Sequence, residues 1–347
     1  MWRLKYNLYQ IKEEDILYPD KIFYELSVLN YELGRQMKEK FNNVEWILID
    51  NHNNIEQLRK NQNHEFPKMK RHLIIGVRKS LKYTPNYKVS DFLVPYTSSG
   101  CSAMCLYCYL VCNYNKCSYL RLFVNREQMM DKLIKTASAS DKNLVFEIGS
   151  NSDLILENTI TKNLEWTIKE FSKSEKGFLT FPTKFDMVEP LLSIDHKDRI
   201  IMRMSVNPNE IIRKIEFGTS SLSSRIDAMN KMSEAGYRVG LLIAPVIITE
   251  NWKELYKELI EQLSDQLSER TKKQLSIEII FMTYSYVHRA INSEAFPKAV
   301  DLYDNELMTG RGRGKYRYRE EIRAEGEEFL RDQLSKRLNN IPIIYVV

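Results

Sequence analysis

The chain has 347 residues, 43% of them hydrophobic and 28% charged, with 51 basic against 46 acidic side chains and a net charge of +5. A chain of this size buries roughly three quarters of its unfolded surface, and the composition excludes both a disordered chain and a membrane protein. The longest apolar runs, such as residues 239–248, stop after about ten residues, too short to span a bilayer. Met1 to Tyr6 leads into polar sequence rather than a signal-peptide core, so a cytoplasmic protein is expected.

Residues 1–90 read as a small α/β region. Phe23, Leu26, Leu29 and Leu33 recur at helical spacing over residues 20–38, while residues 46–49 and 73–77 are apolar runs of strand length. The Asn-rich stretch 51–67 between them is expected to be loop or loop and helix. From residue 91 onward, apolar runs at 92–95, 144–148, 178–181, 200–204, 239–244 and 277–281 alternate with amphipathic stretches, notably 151–171, 221–235 and 252–267. Six such runs with helices between most of them predict a parallel sheet with crossover helices. Six units fall short of the eight that close a barrel. The predicted fold class is therefore α/β, an open, partial TIM-like barrel over 91–347, with its active site at the carboxyl ends of the strands.

The tail, 310–347, is distinct. Gly310-Arg311-Gly312-Arg313-Gly314-Lys315-Tyr316-Arg317-Tyr318-Arg319 mixes glycine, cations and aromatics; a charged helix over 320–338 and a strand over 343–347 follow. Alternate residues of a strand share a face, so a hairpin would present Arg311, Arg313, Lys315, Arg317 and Arg319 together, with Tyr316 and Tyr318 opposite. Such a basic rib can neutralise phosphates and stack guanidiniums in the gap left by an extruded base. A solvated charged turn has the same pattern.

All five cysteines lie between Cys101 and Cys117. A chain this long needs no disulfide staples, and clustered thiols in a reducing compartment point to a metal or cluster. Cys101, Cys105 and Cys108 read C-x3-C-x2-C, followed by Cys112 and Cys117. Three thiolates on a loop can hold three irons of a cube whose four sites would need four cysteines, leaving one iron open to a chelating ligand. A zinc site built from Cys105, Cys108, Cys112 and Cys117 is the alternative; inert thiols are a third.

Cys101-Ser102-Ala103-Met104-Cys105-Leu106-Tyr107-Cys108 carries the signature of radical S-adenosylmethionine enzymes. Around it, Pro95-Tyr96, Phe146-Glu147 with Ser152-Asp153, Ser205-Val206-Asn207-Pro208, Glu216-Phe217-Gly218-Thr219 with Arg225-Ile226, Ala244-Pro245, Gly314-Lys315-Tyr316 and Ile344-Tyr345 resemble the spore photoproduct lyase family. The resemblance implies a partial (β/α)6 barrel holding a [4Fe–4S] cluster on Cys101, Cys105 and Cys108, and S-adenosyl-L-methionine chelated to the open iron. A 5′-deoxyadenosyl radical would take a hydrogen from the dihydrothymine half of a spore photoproduct, and the lesion would revert to two thymines. Carried over by position, Ser152, Ser205 and the Ala244 backbone would contact the cofactor, Lys184 would approach the cofactor or the lesion, and Tyr107 and Tyr109 match the family's radical-relay tyrosines. Arg311, Arg313, Lys315 and Tyr316 would wedge into duplex DNA carrying a thymine lesion. An electron donor such as flavodoxin or ferredoxin is implied, and a monomer is expected.

One departure stands out. Where the family has a hydrogen-donating cysteine shortly after Phe-Glu, this chain has Ser150. A serine O–H bond is much stronger than S–H, so either another group returns the hydrogen, with Cys112, Cys117, Tyr107 and Tyr109 the candidates, or the chemistry ends differently. A relative acting on a different nucleic-acid modification is the alternative reading, and a zinc-stabilised nucleic-acid-binding protein a more distant one.

Overall fold

A computed structural model describes residues 18–113 and 120–347. Near the N-terminus the strands Glu45–Ile49, Lys21–Glu25, His72–Gly76 and Leu120–Phe123 run parallel in that spatial order, and Ser98–Ser99 closes the edge antiparallel. Two of these five strands come from beyond residue 90, so the first sheet is completed by the segments that flank the cysteine loop.

The helix predicted over 20–38 is instead a strand, a 3-10 turn over Leu26–Asn30 and a helix over Glu32–Lys40. The strand is covered on both faces. Ile22 packs with Leu33, Met37 and Phe41, whereas Phe23 packs with Ile55, Leu58 and Met69. A two-sided strand loses its polar alternation, which let Phe23, Leu26 and Leu29 imitate a helical stripe; Leu26 is in fact 63% exposed.

The second sheet carries the barrel. Phe92–Leu93, Val145–Glu147, Phe178–Thr183, Ile200–Val206, Arg238–Val246 and Ile277–Phe281 are neighbours in chain order and all parallel. This is the expected six-stranded half-barrel, a curled open sheet. Ile343–Val346 adds a further parallel strand at one edge, and Thr84–Pro85 pairs antiparallel at the other. The helix expected over 151–171 is two helices, Leu154–Thr161 and Asn163–Phe171. Lys162 breaks them at φ 55°, and the Asn158 side-chain oxygen accepts the Leu164 and Glu165 N–H groups that open the second.

Strand alternation sorts the sheet's two faces. Leu179, Phe181, Met202, Met204, Leu241 and Ile243 are fully buried. The opposite face is polar: Arg203 lies between Glu147 (2.8 Å) and Glu278 (3.0 Å), donates to Thr180 Oγ1, and Tyr345 donates to Glu278. Removing one partner of such a buried pair costs about 3–5 kcal/mol. Ser205 lies two residues beyond Arg203 on that same face, nearer the strand's carboxyl end.

A small antiparallel sheet, Thr283–Ser285, Lys315–Tyr318 and Met308–Gly312 in spatial order, carries the predicted hairpin. The helix Glu320–Arg337 follows it and packs Phe329 edge-on against Trp252. Among the described residues, no helix is long and apolar enough to cross a membrane.

Candidate active site

The cysteine loop leaves the first sheet after Ser98–Ser99. Gly100, at φ 82°, turns the chain, donates its N–H to the Asn151 carbonyl (2.7 Å) and bridges to Ser152. A left-handed backbone is costly for residues with a Cβ, which accounts for glycine immediately before the first cysteine. Further on, Met104–Cys105 pairs antiparallel with Glu216–Phe217. Four groups from distant parts of the chain pin the loop's backbone. Lys70 Nζ donates to the Cys101 carbonyl (2.6 Å), Leu106 N to the Ile215 carbonyl (3.0 Å), Asn292 Nδ2 to the Leu106 carbonyl (2.8 Å) and His288 Nε2 to the Cys108 carbonyl (3.0 Å).

Cys101, Cys105 and Cys108 are half-buried on this loop and none is disulfide-bonded. Burial pushes the Cys101 thiol up to about 12. Burial also raises the Cys105 thiol well above its ordinary value, and the nearby Glu216 carboxylate adds to the effect. Metal ligation requires thiolates, so loading such a site releases protons. Among the described residues, no three His, Cys, Asp or Glu side chains close around a single ion. A cube makes a different demand, since its thiolates bind separate irons, and a pinned loop with three soft sulfur donors fits that demand. The side chain of Cys112 and the whole of Cys117 lie outside the described residues.

At the carboxyl ends of the barrel strands, three of the four expected cofactor residues converge. Lys184 Nζ donates to Ser205 Oγ (2.7 Å) and the Ala244 carbonyl (2.7 Å), and Ser205 Oγ donates to that same carbonyl (2.7 Å). The third acceptor for Lys184 is Glu216 Oε1, at 2.9 Å. Ser152 has other partners: its hydroxyl meets Ser98 Oγ at 2.6 Å, beside the bridge to Gly100 that precedes Cys101. Its neighbour Asp153 caps the Leu154–Thr161 helix, accepting from Ile155 and Leu156 N–H, and also takes the Thr183 hydroxyl and the Lys184 N–H. One carboxylate thus starts a helix and fixes the backbone from which Lys184 projects.

Glu216 is the centre of the site, and sequence reasoning gave it no role. It accepts from Lys184, from Asn207 Nδ2 (2.8 Å), from Arg225 Nη2 (2.7 Å) and from the Tyr107 hydroxyl. Arg225, itself fully buried, also donates to the carbonyls of Ser205 and Ser220. Burial alone would raise the Glu216 carboxyl, but Lys184 and Arg225 outweigh it and hold it down at about 2. Burial, with the Glu216 charge beside it, raises the Tyr107 phenol well above its ordinary value, so Tyr107 stays protonated as the donor. The signal for this centre was present in Glu216-Phe217-Gly218-Thr219 and Arg225, but pairing across a fold cannot be read from spacing.

Tyr109 is 52% exposed, and its hydroxyl donates to the Ser150 carbonyl. On the hairpin, Arg311, Arg313, Lys315 and Arg317 are exposed as expected. Arg319 is not part of that rib, because its guanidinium turns back to the carbonyls of Asn305 and Glu306. Tyr316 is half-buried, packed edge-on against Tyr303 with ring centroids 4.6 Å apart.

A sequence model of the spore photoproduct lyase family matches residues 17–347. Spore photoproduct lyase of Bacillus subtilis (strain 168) is 31% identical over 335 residues, covering 94% of this chain and 98% of that protein. Its namesake from Clostridium acetobutylicum is 28% identical over 334 residues, with coverage of 94% and 98%. Among solved structures, a spore photoproduct lyase mutant with bound AdoMet and dinucleoside spore photoproduct superposes with a TM-score of 0.88 at 27% identity, covering 95% of this chain and all of that one. A spore photoproduct lyase complexed with dinucleoside spore photoproduct superposes at 0.87, also with 27% identity and 95% coverage of this chain.

Proposed function

The chain belongs to the spore photoproduct lyase family of radical SAM lyases, and on that premise we propose that it reverts a thymine photoproduct in DNA to two thymines. The observation that carries the reading is the shared carboxylate of Glu216. Tyr107, inside the cysteine loop, and Lys184, at the strand ends, both donate to it, so loop and strand ends form one site. Cys101, Cys105 and Cys108 would hold a [4Fe–4S] cluster, and Lys184, Ser205 and the Ala244 carbonyl would bind S-adenosyl-L-methionine. Together these cofactors supply a carbon-centred radical able to take a hydrogen from the lesion.

The residues of the chain then do the positioning. Lys184 already has three acceptors for its three N–H donors. A cofactor carboxylate would therefore replace one of them, and the Ser205 hydroxyl, which can rotate, is the natural one to yield. Glu216 stays ionised, so it goes on accepting from Lys184 and holds that side chain in place while the exchange happens. For the returning hydrogen, the phenol of Tyr109 is already seated at residue 150, where the chain has an unreactive serine hydroxyl. Donation from Tyr109 would leave a phenoxyl radical to be reduced. Duplex DNA would meet the basic hairpin, and a flavodoxin- or ferredoxin-type donor would supply electrons.

The test is product analysis. Protein reconstituted anaerobically with iron and sulfide, then reduced with S-adenosyl-L-methionine and a dinucleotide spore photoproduct, should form the undamaged thymine dinucleotide stoichiometrically with lesion loss. Formation of 5′-deoxyadenosine with the lesion intact would assign the chain to a relative with another nucleic-acid substrate. Absence of both would remove the radical reading.

A further inference from the structure

We propose that Tyr286 is a nucleic-acid contact of this site, with a base near the lesion stacking on its ring while the hairpin cations hold the phosphates. This rests on the DNA-directed reading above. Tyr286 opens the helix Tyr286–Ala295, directly after the strand that pairs with the hairpin. Its N–H donates to the Gly314 carbonyl at 3.1 Å. Its ring lies so close over Gly314 that a Cβ there would sit 2.1 Å from Cδ1. Gly312, Arg313 and Gly314 all have positive φ (85°, 52° and 68°), a tight left-handed tip that places the aromatic beside exposed Arg313 and Lys315. Although the ring is seated on the hairpin tip, Tyr286 remains 61% exposed.

The helix also fixes where that ring stands relative to the chemistry. Two and six residues further on, His288 and Asn292 donate to the carbonyls of Cys108 and Leu106. The helix that carries Tyr286 therefore grips the cysteine loop, and the ring occupies the rim between that loop and the cationic rib. Exposed aromatics set among cations are stacking platforms for unpaired bases. Tyr316, which the sequence suggests for this work, is turned toward Tyr303 and less available.

Salt dependence separates stacking from charge. Each cation that neutralises a phosphate contributes about one unit to the slope of log affinity against log salt, whereas stacking contributes none. With a lesion-bearing oligonucleotide and the cluster-loaded protein, Tyr286→Ala should weaken binding about 5- to 150-fold at every salt concentration without changing the slope. Tyr286→Phe should bind like the parent. Arg311→Ala with Arg313→Ala should lower the slope by about two. Parental affinity in Tyr286→Ala would overturn the proposal while leaving the DNA-directed reading intact. So would a reduced slope in Tyr286→Ala, since the ring would then act by shaping the hairpin. If the parent itself binds no DNA, both fall, and the dinucleotide assay still reports on the lyase reading independently.

Discussion

Replacing any one of Cys101, Cys105 and Cys108 with alanine is expected to reduce 5′-deoxyadenosine formation to the assay floor and to cut bound iron sharply, with the fold retained. The expectation of complete rather than partial loss comes from the loop's geometry. Lys70, Asn292 and His288 hold the carbonyls of Cys101, Leu106 and Cys108, and Ile215 accepts the Leu106 N–H. A backbone pinned at four points cannot slide a neighbouring side chain into a vacated corner. Two thiolates then remain for a cube that this loop would hold by three. Iron analysis after anaerobic reconstitution, alongside far-ultraviolet circular dichroism, checks both halves of the claim. Full iron content in one variant would exclude that thiol from the set. Retained iron in all three would transfer ligation to the remaining cysteines.

The barrel was legible because its strands are buried on both faces and read as apolar runs, broken only by charges such as Glu147, Arg203 and Glu278 that pair across the sheet, and separated by amphipathic helices. Each predicted run lies on an observed parallel strand, in the predicted order. The N-terminal region was less legible for the same physical reason turned around. Ile22 and Phe23 face two separate cores, so their strand lost its period of two and accidental spacing suggested a helix. Leu120–Phe123 was missed because its partner, His72–Gly76, lies more than forty residues away. In the site, local chemistry could be seen and tertiary chemistry could not. Cys101, Cys105 and Cys108 share one loop, and Lys184 and Ser205 end adjacent strands. Glu216, by contrast, becomes important only when folding brings Tyr107, Lys184, Asn207 and Arg225 to a single carboxylate. Arg319 shows the converse error: alternation put it on the basic face, but nearby carbonyls claim its guanidinium.

Glu216→Ala is expected to cost about 3–5 kcal/mol of folding stability, the range for removing one partner of a buried ion pair. The carboxylate and Arg225 are both fully buried, 2.7 Å apart, and removing the first leaves the second charged without its counter-ion. Urea unfolding of the cluster-free protein measures this, and a midpoint equal to the parent's would refute it. The pH dependence has a definite sign. The folded-state value, about 2, lies below the ordinary 4.5, so the contribution is complete above about 4.5 and disappears as pH falls toward 2. The stability gap between parent and Glu216→Gln should therefore narrow over that interval and stay constant above it; a gap independent of pH down to 2 would show that the charge of Glu216 is not what stabilises the fold. Glu216→Leu combined with Arg225→Met separates the two roles of the centre. An apolar replacement of both partners can recover stability, yet it cannot restore the acceptor that Lys184 and Tyr107 share. That double variant should recover only part of the lost stability, because Lys184, Tyr107 and Asn207 still lose their acceptor, and it should bind S-adenosyl-L-methionine weakly, because Lys184 has lost the group that aims it.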